Sequence, residues 1–219
     1  MIKAILFDID GVLVDTKDAQ LKFREKLFRL AGYEDIPDEF FYDFHKPYRT
    51  LITDFLKSRN IDDPEEIDRL ISMVKDPVIR SKDIIEMFKF HEALEDTLKH
   101  LGERYSLGVV TSRGKFGVKE VFDLRPIEKY FDTIVTYDDC LNHKPHPEPL
   151  EKALEALSLL PAQAIYIGDT EADIIAAASI GMPSLHLAES KHNLAHYHIT
   201  DFSKIINTIE LIEDENNNS

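Results

Sequence analysis

Two aspartates stand two residues apart in Phe7-Asp8-Ile9-Asp10-Gly11-Val12, directly after a short apolar run. In extended backbone alternate side chains leave on one face, so Asp8 and Asp10 are expected to point the same way. Neighbouring carboxylates repel unless a cation or a proton relieves them, which points to metal binding or acid–base work. Asp and Gly also close strands simply as turn formers, and for this segment alone that reading stands equally. A second acidic group, Gly168-Asp169-Thr170-Glu171-Ala172-Asp173, follows another apolar run and places Asp173 one helical turn beyond Asp169. Capping of a following helix accounts for one of these two acids, not both. Val110-Thr111-Ser112-Arg113-Gly114 offers two hydroxyls and free backbone amides, a donor set that suits phosphate, although ordinary Ser/Thr capping explains it as well. Lys144 lies in His143-Lys144-Pro145-His146-Pro147-Glu148-Pro149, where three prolines stiffen the backbone that presents its ammonium. A lone lysine is otherwise a solvated charge.

The elements that must position these residues are short. Ala4 to Phe7, Leu107 to Val110, Thr133 to Thr136, Ala164 to Ile167 and Ser184 to Leu187 are brief apolar runs closed by polar residues or Gly, the pattern of buried parallel strands. Helical patterns at Glu148 to Leu157 and Glu171 to Ile180 lie between the later runs, the second closed by Gly181 with Pro183 beyond. Strand alternating with helix predicts an α/β fold with a doubly wound parallel sheet. In open sheets of this kind, ligands bind at the carboxyl ends of the strands, where Asp8, Thr111 and Asp169 would stand. The stretch from Thr16 to Phe90 breaks the alternation. Helical periodicity at Ala19 to Ala31, Leu51 to Arg59 and Glu65 to Val74, with no convincing strand, predicts an inserted helical domain over residues 16–90 and a core built from 1–15 and 91–219. Residues 213–219, Glu-Asp-Glu-Asn-Asn-Asn-Ser, carry no apolar anchor and are expected to be disordered.

Composition narrows the partners. The 219 residues are 43% hydrophobic, enough for one substantial core and a smaller appended domain. The formal charge of -15 repels nucleic acid and anionic membranes, and no basic patch offsets it. A small anionic substrate is repelled at long range too, so binding one requires local donors and a cation. The single cysteine, Cys140, reads as an inert thiol in a reducing compartment. No stretch approaches the roughly 18 uninterrupted apolar residues of a membrane span, and the apolar start is too short for a secretory segment. A cytoplasmic location is expected.

Taken in order, Asp8-Ile9-Asp10-Gly11-Val12, Thr111-Ser112, Lys144-Pro145 and Gly168-Asp169-Thr170-Glu171-Ala172-Asp173 resemble the four motifs of the haloacid dehalogenase-like superfamily. The likeness covers the whole core, and the insertion resembles the helical cap that this superfamily often carries between its first two motifs. The branch it resembles most contains phosphoglycolate phosphatase, pyrophosphatase and β-phosphoglucomutase. The resemblance implies a phosphatase acting on a small phosphorylated metabolite, with Asp8 as the nucleophile that becomes an aspartyl phosphate. It makes Asp10 the acid that protonates the leaving oxygen and then the base that activates water. Mg²⁺ would be held by Asp8, the backbone carbonyl of Asp10 and Asp169. Thr111, Ser112 and Lys144 would bind the phosphoryl oxygens, and Asp173 would orient Lys144 or a metal-bound water.

Three weaker signals complete the reading. Phe44-His45-Lys46-Pro47-Tyr48-Arg49 is a cationic patch in an acidic chain, read either as solvated charge or as a contact for the distal part of an anionic substrate. His186, His192, His196 and His198 cluster, with His192 and His196 at helical spacing, but without an accompanying Cys or carboxylate they are not expected to bind zinc. Asp15-Thr16 also resembles β-phosphoglucomutase, yet Gln20 stands where that pattern has His, which lowers the phosphomutase reading. A receiver-type signalling module fails on motif order, and an idle binding protein on this fold would usually lack Asp8 or Asp10.

Overall fold

The computed structural model of this chain describes residues 1–42 and 46–217. Six parallel strands form one sheet: β1 (Ala4–Phe7), β2 (Ser106–Val110), β3 (Thr133–Val135), β4 (Ala164–Gly168), β5 (Ser184–Leu187) and β6 (Tyr197–Ile199). Their order is β3-β2-β1-β4-β5-β6, so the chain winds outward from β1 to one edge and then returns to fill the other. The five apolar runs all become strands. The three-residue β6 carries His198 at its centre and has no apolar run to announce it.

Register fixes what meets at the carboxyl ends. Phe7 lies opposite Val109 on one side and Ile167 on the other. Asp8, Thr111 and Asp169 therefore leave adjacent strands at nearly one level, at the place where the winding direction reverses. The Asp8 amide still donates to the Ile167 carbonyl at 2.9 Å and the Thr111 amide to the Val135 carbonyl at 3.0 Å, so the sheet holds both residues by their backbones. β1 and β4 are buried along their whole length, which is why they read as unbroken apolar runs.

The chain divides into two compact units, Met1–Asp15 with Phe90–Ser219, and Thr16–Lys89. The inserted unit is helical: α1 (Lys17–Leu30), α2 (Glu39–Tyr42), α3 (Tyr48–Ser58), α4 (Pro64–Met73) and α5 (Lys82–Ile85). Asp63 caps α4 through the Glu65 amide with Pro64 in the first turn, a favourable helix start. Phe55 is the centre of its core, with the rings of Phe28, Tyr33 and Phe40 within 4.3 to 5.3 Å.

The sheet is flanked by α6 (Leu94–Gly102), α7 (Lys115–Leu124), α8 (Glu148–Leu157), α9 (Glu171–Ser179) and α10 (Ile205–Asn217). α10 corrects the expected disorder from Glu213 onward, since helix continues to Asn217. Ile205, Ile209 and Ile212 bury one stripe of it, and Arg104 pairs with Glu213, so an anchored helix carries the polar residues onward. Among the described residues no helix is long and apolar enough to cross a membrane.

Candidate active site

Lys144 is the hub of the site. Its ammonium lies 2.6 Å from Asp173 Oδ1 and 3.1 Å from Asp8 Oδ2, and it donates to the Tyr166 hydroxyl at 2.8 Å. Its side chain is only 4% exposed, so it is not the solvated charge a lone lysine would be. Burial alone would strip its proton, but Asp173 and Asp8 outweigh that and keep the ammonium above the ordinary lysine value.

Asp8 sits just past β1, 5% exposed, with Oδ1 accepting from the Ile9 amide at 2.7 Å. Beyond Phe7 the backbone turns rather than staying extended, with the Leu13 and Val14 amides donating to the Ile9 carbonyl. The two carboxylates have different partners, Lys144 for Asp8 and Arg113 for Asp10. Gly11 makes the turn possible at φ 75°, and a Cβ there would lie 1.8 Å from Asp169 Oδ2.

Asp169 follows β4, and Asp173 is carried one turn into α9. Thr170 and Asp173 form a reciprocal cap, in which the Asp173 amide donates to Thr170 Oγ1 while Asp173 Oδ2 accepts from the Thr170 amide and hydroxyl. The other Asp173 oxygen accepts from Lys144 and Tyr166. Capping and site-building are thus the same carboxylate's two oxygens. A Cβ at Gly168 would fall 2.4 Å from that of Asp173, so this approach also needs glycine.

Ligand oxygens of Asp8, Asp169 and Asp173 lie within 4.8 Å of one another. Three carboxylates face one ammonium, a surplus of two negative charges when all are ionised. The cost falls on the acids farther from Lys144. Burial pushes Asp8 up to about 7, Lys144 opposing and Asp173 and Asp10 adding to the rise. Burial, then Asp173 and Asp8, push Asp169 up to about 8. Burial would raise Asp173 too, but Lys144 and the hydrogen bonds from Thr170 and Tyr166 outweigh it and hold that carboxyl low. Asp169 Oδ1 is buried with no hydrogen-bond partner. A surplus of two charges, an unsatisfied carboxylate oxygen and an all-oxygen donor set fit a hard divalent cation such as Mg²⁺.

Asp10 stands outside this acidic group. Its two oxygens are gripped by Arg113, Nε to Oδ2 at 2.6 Å and Nη2 to Oδ1 at 2.7 Å. Thr111 is buried at the end of β2, its Oγ1 accepting from the Arg113 amide at 3.2 Å, and Ser112 follows half-buried. Arg113 was visible beside the two hydroxyls, but nothing local pairs it with a residue 103 positions away. Tyr166 also escaped the sequence reading. Its hydroxyl donates to Asp173 Oδ1 at 2.9 Å and lies 3.0 Å from the Val110 carbonyl, and the one signal was a phenol in an aliphatic strand, where a buried hydroxyl must find a partner.

His186, His192 and His198 make local contacts, His192 Nε2 lying 3.5 Å from Glu171 Oε1. His192 and His196 lie in an irregular segment rather than on a helix. The His192 amide donates to His186 Nδ1 at 3.1 Å, which leaves the His186 Nε2 proton to donate to the Asp169 carbonyl at 3.1 Å. His198 Nε2 donates to the Ala188 carbonyl at 2.8 Å. Among the described residues, only Asp8, Asp169 and Asp173 have metal-ligand spacing. Phe44 and His45 of the cationic patch lie outside the described residues. Lys46 pairs with Asp54 and Arg49 with Asp68, each at 2.9 Å, so acids of the same unit offset both cations.

The profile described as haloacid dehalogenase-like hydrolase matches residues 5–187. The chain is similar to the pyrophosphatase PpaX of Oceanobacillus iheyensis, with 31% identity over 97% of this chain and 93% of that one. Among solved structures it resembles a HAD-superfamily hydrolase, subfamily IA, of Geobacter sulfurreducens at 26% identity and TM-score 0.69, covering 94% of this chain and 96% of that one. It also shares the fold of a β-phosphoglucomutase of Clostridium difficile at 22% identity and TM-score 0.82, each chain covered in full.

Proposed function

This chain belongs to the haloacid dehalogenase-like hydrolase family, and on that footing we propose that it is a Mg²⁺-dependent phosphatase cleaving a small phosphate monoester or pyrophosphate through an aspartyl phosphate on Asp8. The observation that carries this reading is the charge balance at Asp8: a buried carboxylate that shares one ammonium with Asp173 and has Asp169 beside it. Such a group is poised to accept an electrophile once the surplus charge is neutralised. Asp8, Asp169 and the backbone carbonyl of Asp10 would hold Mg²⁺, which would supply that neutralisation and offset the charge of the phosphoryl oxygens.

In the first half-reaction an Asp8 oxygen attacks phosphorus, the bond from phosphorus to the leaving oxygen breaks, and that oxygen takes a proton from Asp10. In the second, Asp10 takes a proton from water, the water oxygen attacks phosphorus, and the bond to Asp8 breaks to release phosphate. Thr111, Ser112 and Lys144 donate to the equatorial oxygens as charge redistributes. Asp173 and Tyr166 hold Lys144 in place for this.

Gln20 favours hydrolysis over sugar phosphate isomerisation. Its amide donates to Thr16 Oγ1 at 2.9 Å and has no proton to shuttle to a sugar hydroxyl, unlike the His of the mutase pattern. A small phosphorylated metabolite in a reducing, cytoplasmic setting fits the chain, whose one thiol, Cys140, is pushed up by burial and so stays protonated. The test is a panel of phosphoglycolate, pyrophosphate, sugar phosphates and nucleotides with and without Mg²⁺, read for free phosphate and for isomerised product. Phosphate release that requires Mg²⁺ and falls about 10⁴-fold or more in Asp8→Asn is expected. Isomer without phosphate would make the protein a mutase, and full activity in Asp8→Asn would remove Asp8 from the chemistry.

A further inference from the structure

We infer that Arg113 selects for substrates whose leaving group carries its own negative charge, and that such a substrate takes the guanidinium over from Asp10. This rests on the phosphatase reading above and adds a substrate class to it. The bidentate pair between Arg113 and Asp10 occupies both oxygens of the carboxylate that must meet the leaving oxygen. The grip has to loosen on whichever Asp10 oxygen hands a proton to the leaving oxygen, so the Arg113 fork has to shift during each turnover.

What displaces it follows from shape and charge. A guanidinium fork matches a planar carboxylate or two oxygens of a phosphoryl group, and exchange between two such partners costs little because each ion pair replaces another. An uncharged alcohol offers no such exchange. The pair is also placed for exchange: the side chains of Arg113 and Asp10 are 13% and 28% exposed, against 4% and 8% for Lys144 and Asp8. Lys144 is committed to Asp8 and Asp173 and does not compete for the distal anion. The Arg113 backbone stays fixed, its amide donating to Thr111 Oγ1 and its carbonyl accepting from Tyr137, so only the side chain need move. It lies along α7 at Gly117, where a Cβ would stand 3.4 Å from Nη1. An anionic leaving group would therefore gain an ion pair and free Asp10, which takes up a proton from solvent and then delivers it to the bridging oxygen.

Two esters of nearly equal size separate this from a purely structural role: phosphoglycolate, whose alcohol carries a carboxylate, and 2-hydroxyethyl phosphate, whose alcohol does not. With Mg²⁺ present, the ratio of kcat/KM for the first over the second is expected to fall about tenfold or more in Arg113→Met, through a higher KM for phosphoglycolate, and to survive in part in Arg113→Lys. Binding by calorimetry gives an arm that needs no turnover. Asp10→Ala, which removes the competing carboxylate, should prefer phosphoglycolate over 2-hydroxyethyl phosphate more strongly than Asp8→Asn, which retains it. Equal losses on both esters in Arg113→Met, no change on either, or the same binding preference in Asp10→Ala and Asp8→Asn would each overturn the inference. A wild-type protein that cleaves neither ester counts against the phosphatase reading, while the binding arm still decides on Arg113.

Discussion

The two units bury charge in opposite ways. In the inserted unit, Arg24 is 1% exposed, yet it donates to the carbonyls of Phe40 and Phe41 at 3.4 and 3.1 Å and lies 5.8 Å from the centre of the Tyr48 ring. Backbone carbonyls and an aromatic face help to hold this cation. In the sheet unit, Lys144, Asp8 and Asp173 are equally hidden, but with Asp169 beside them the acids outnumber the base. A buried surplus of acid is held at a cost that a proton or a cation relieves.

Removing the cation from each unit tests that contrast most directly. Lys144→Met leaves two buried carboxylates without their counter-ion, so metal-free urea unfolding should show a loss of about 3–5 kcal/mol together with loss of phosphate release. A loss under about 1 kcal/mol would mean that the acids do not depend on Lys144. Arg24→Met should cost less, about 2 kcal/mol from two carbonyls left unpaired, with activity per folded molecule moving by less than about threefold. Loss of turnover as deep as that in Lys144→Met would break the distinction between a structural and a chemical buried charge.

The smallest expected effect is on pH dependence, and it bears on the surplus itself. A carboxyl whose folded pKa lies above its unfolded value binds more protons folded than unfolded, so stability falls as pH rises between the two values. Asp8, raised to about 7, and Asp169, raised to about 8, put such a fall at pH 6.5 to 8. Burial holds His143 and His186 below 6.5, so their opposite contribution fades over about the first unit above pH 6.5 and makes the fall shallower at the start of that window. Metal-free Tm should therefore drop by on the order of 3 °C between pH 6.5 and 8, and saturating Mg²⁺ should cancel the drop by favouring the ionised pair. A metal-free Tm that rises across this window would show that the two carboxylates are ionised without help.

Much of this was legible in order along the chain. Apolar runs announced five of the six strands of the main sheet, most plainly β1 and β4, which are buried along their whole length, and Asp8, Asp169 and Asp173 were legible because strand ends and the helical turn are local rules. Strand β6 was hidden by its brevity, and the end of α10 by a polar composition whose anchoring isoleucines lie upstream. The sequence by itself therefore determined the chemical inventory: which acids, hydroxyls and lysine stand at the ends of which elements. Tertiary structure alone decided how charge is shared among them. Lys144 is divided between Asp173, 29 positions away, and Asp8, while Tyr166 braces it from 22 positions away and Arg113 grips Asp10 across 103. The physical reason is that electrostatic energy depends on distance in space and on burial, and neither is a function of separation along the chain.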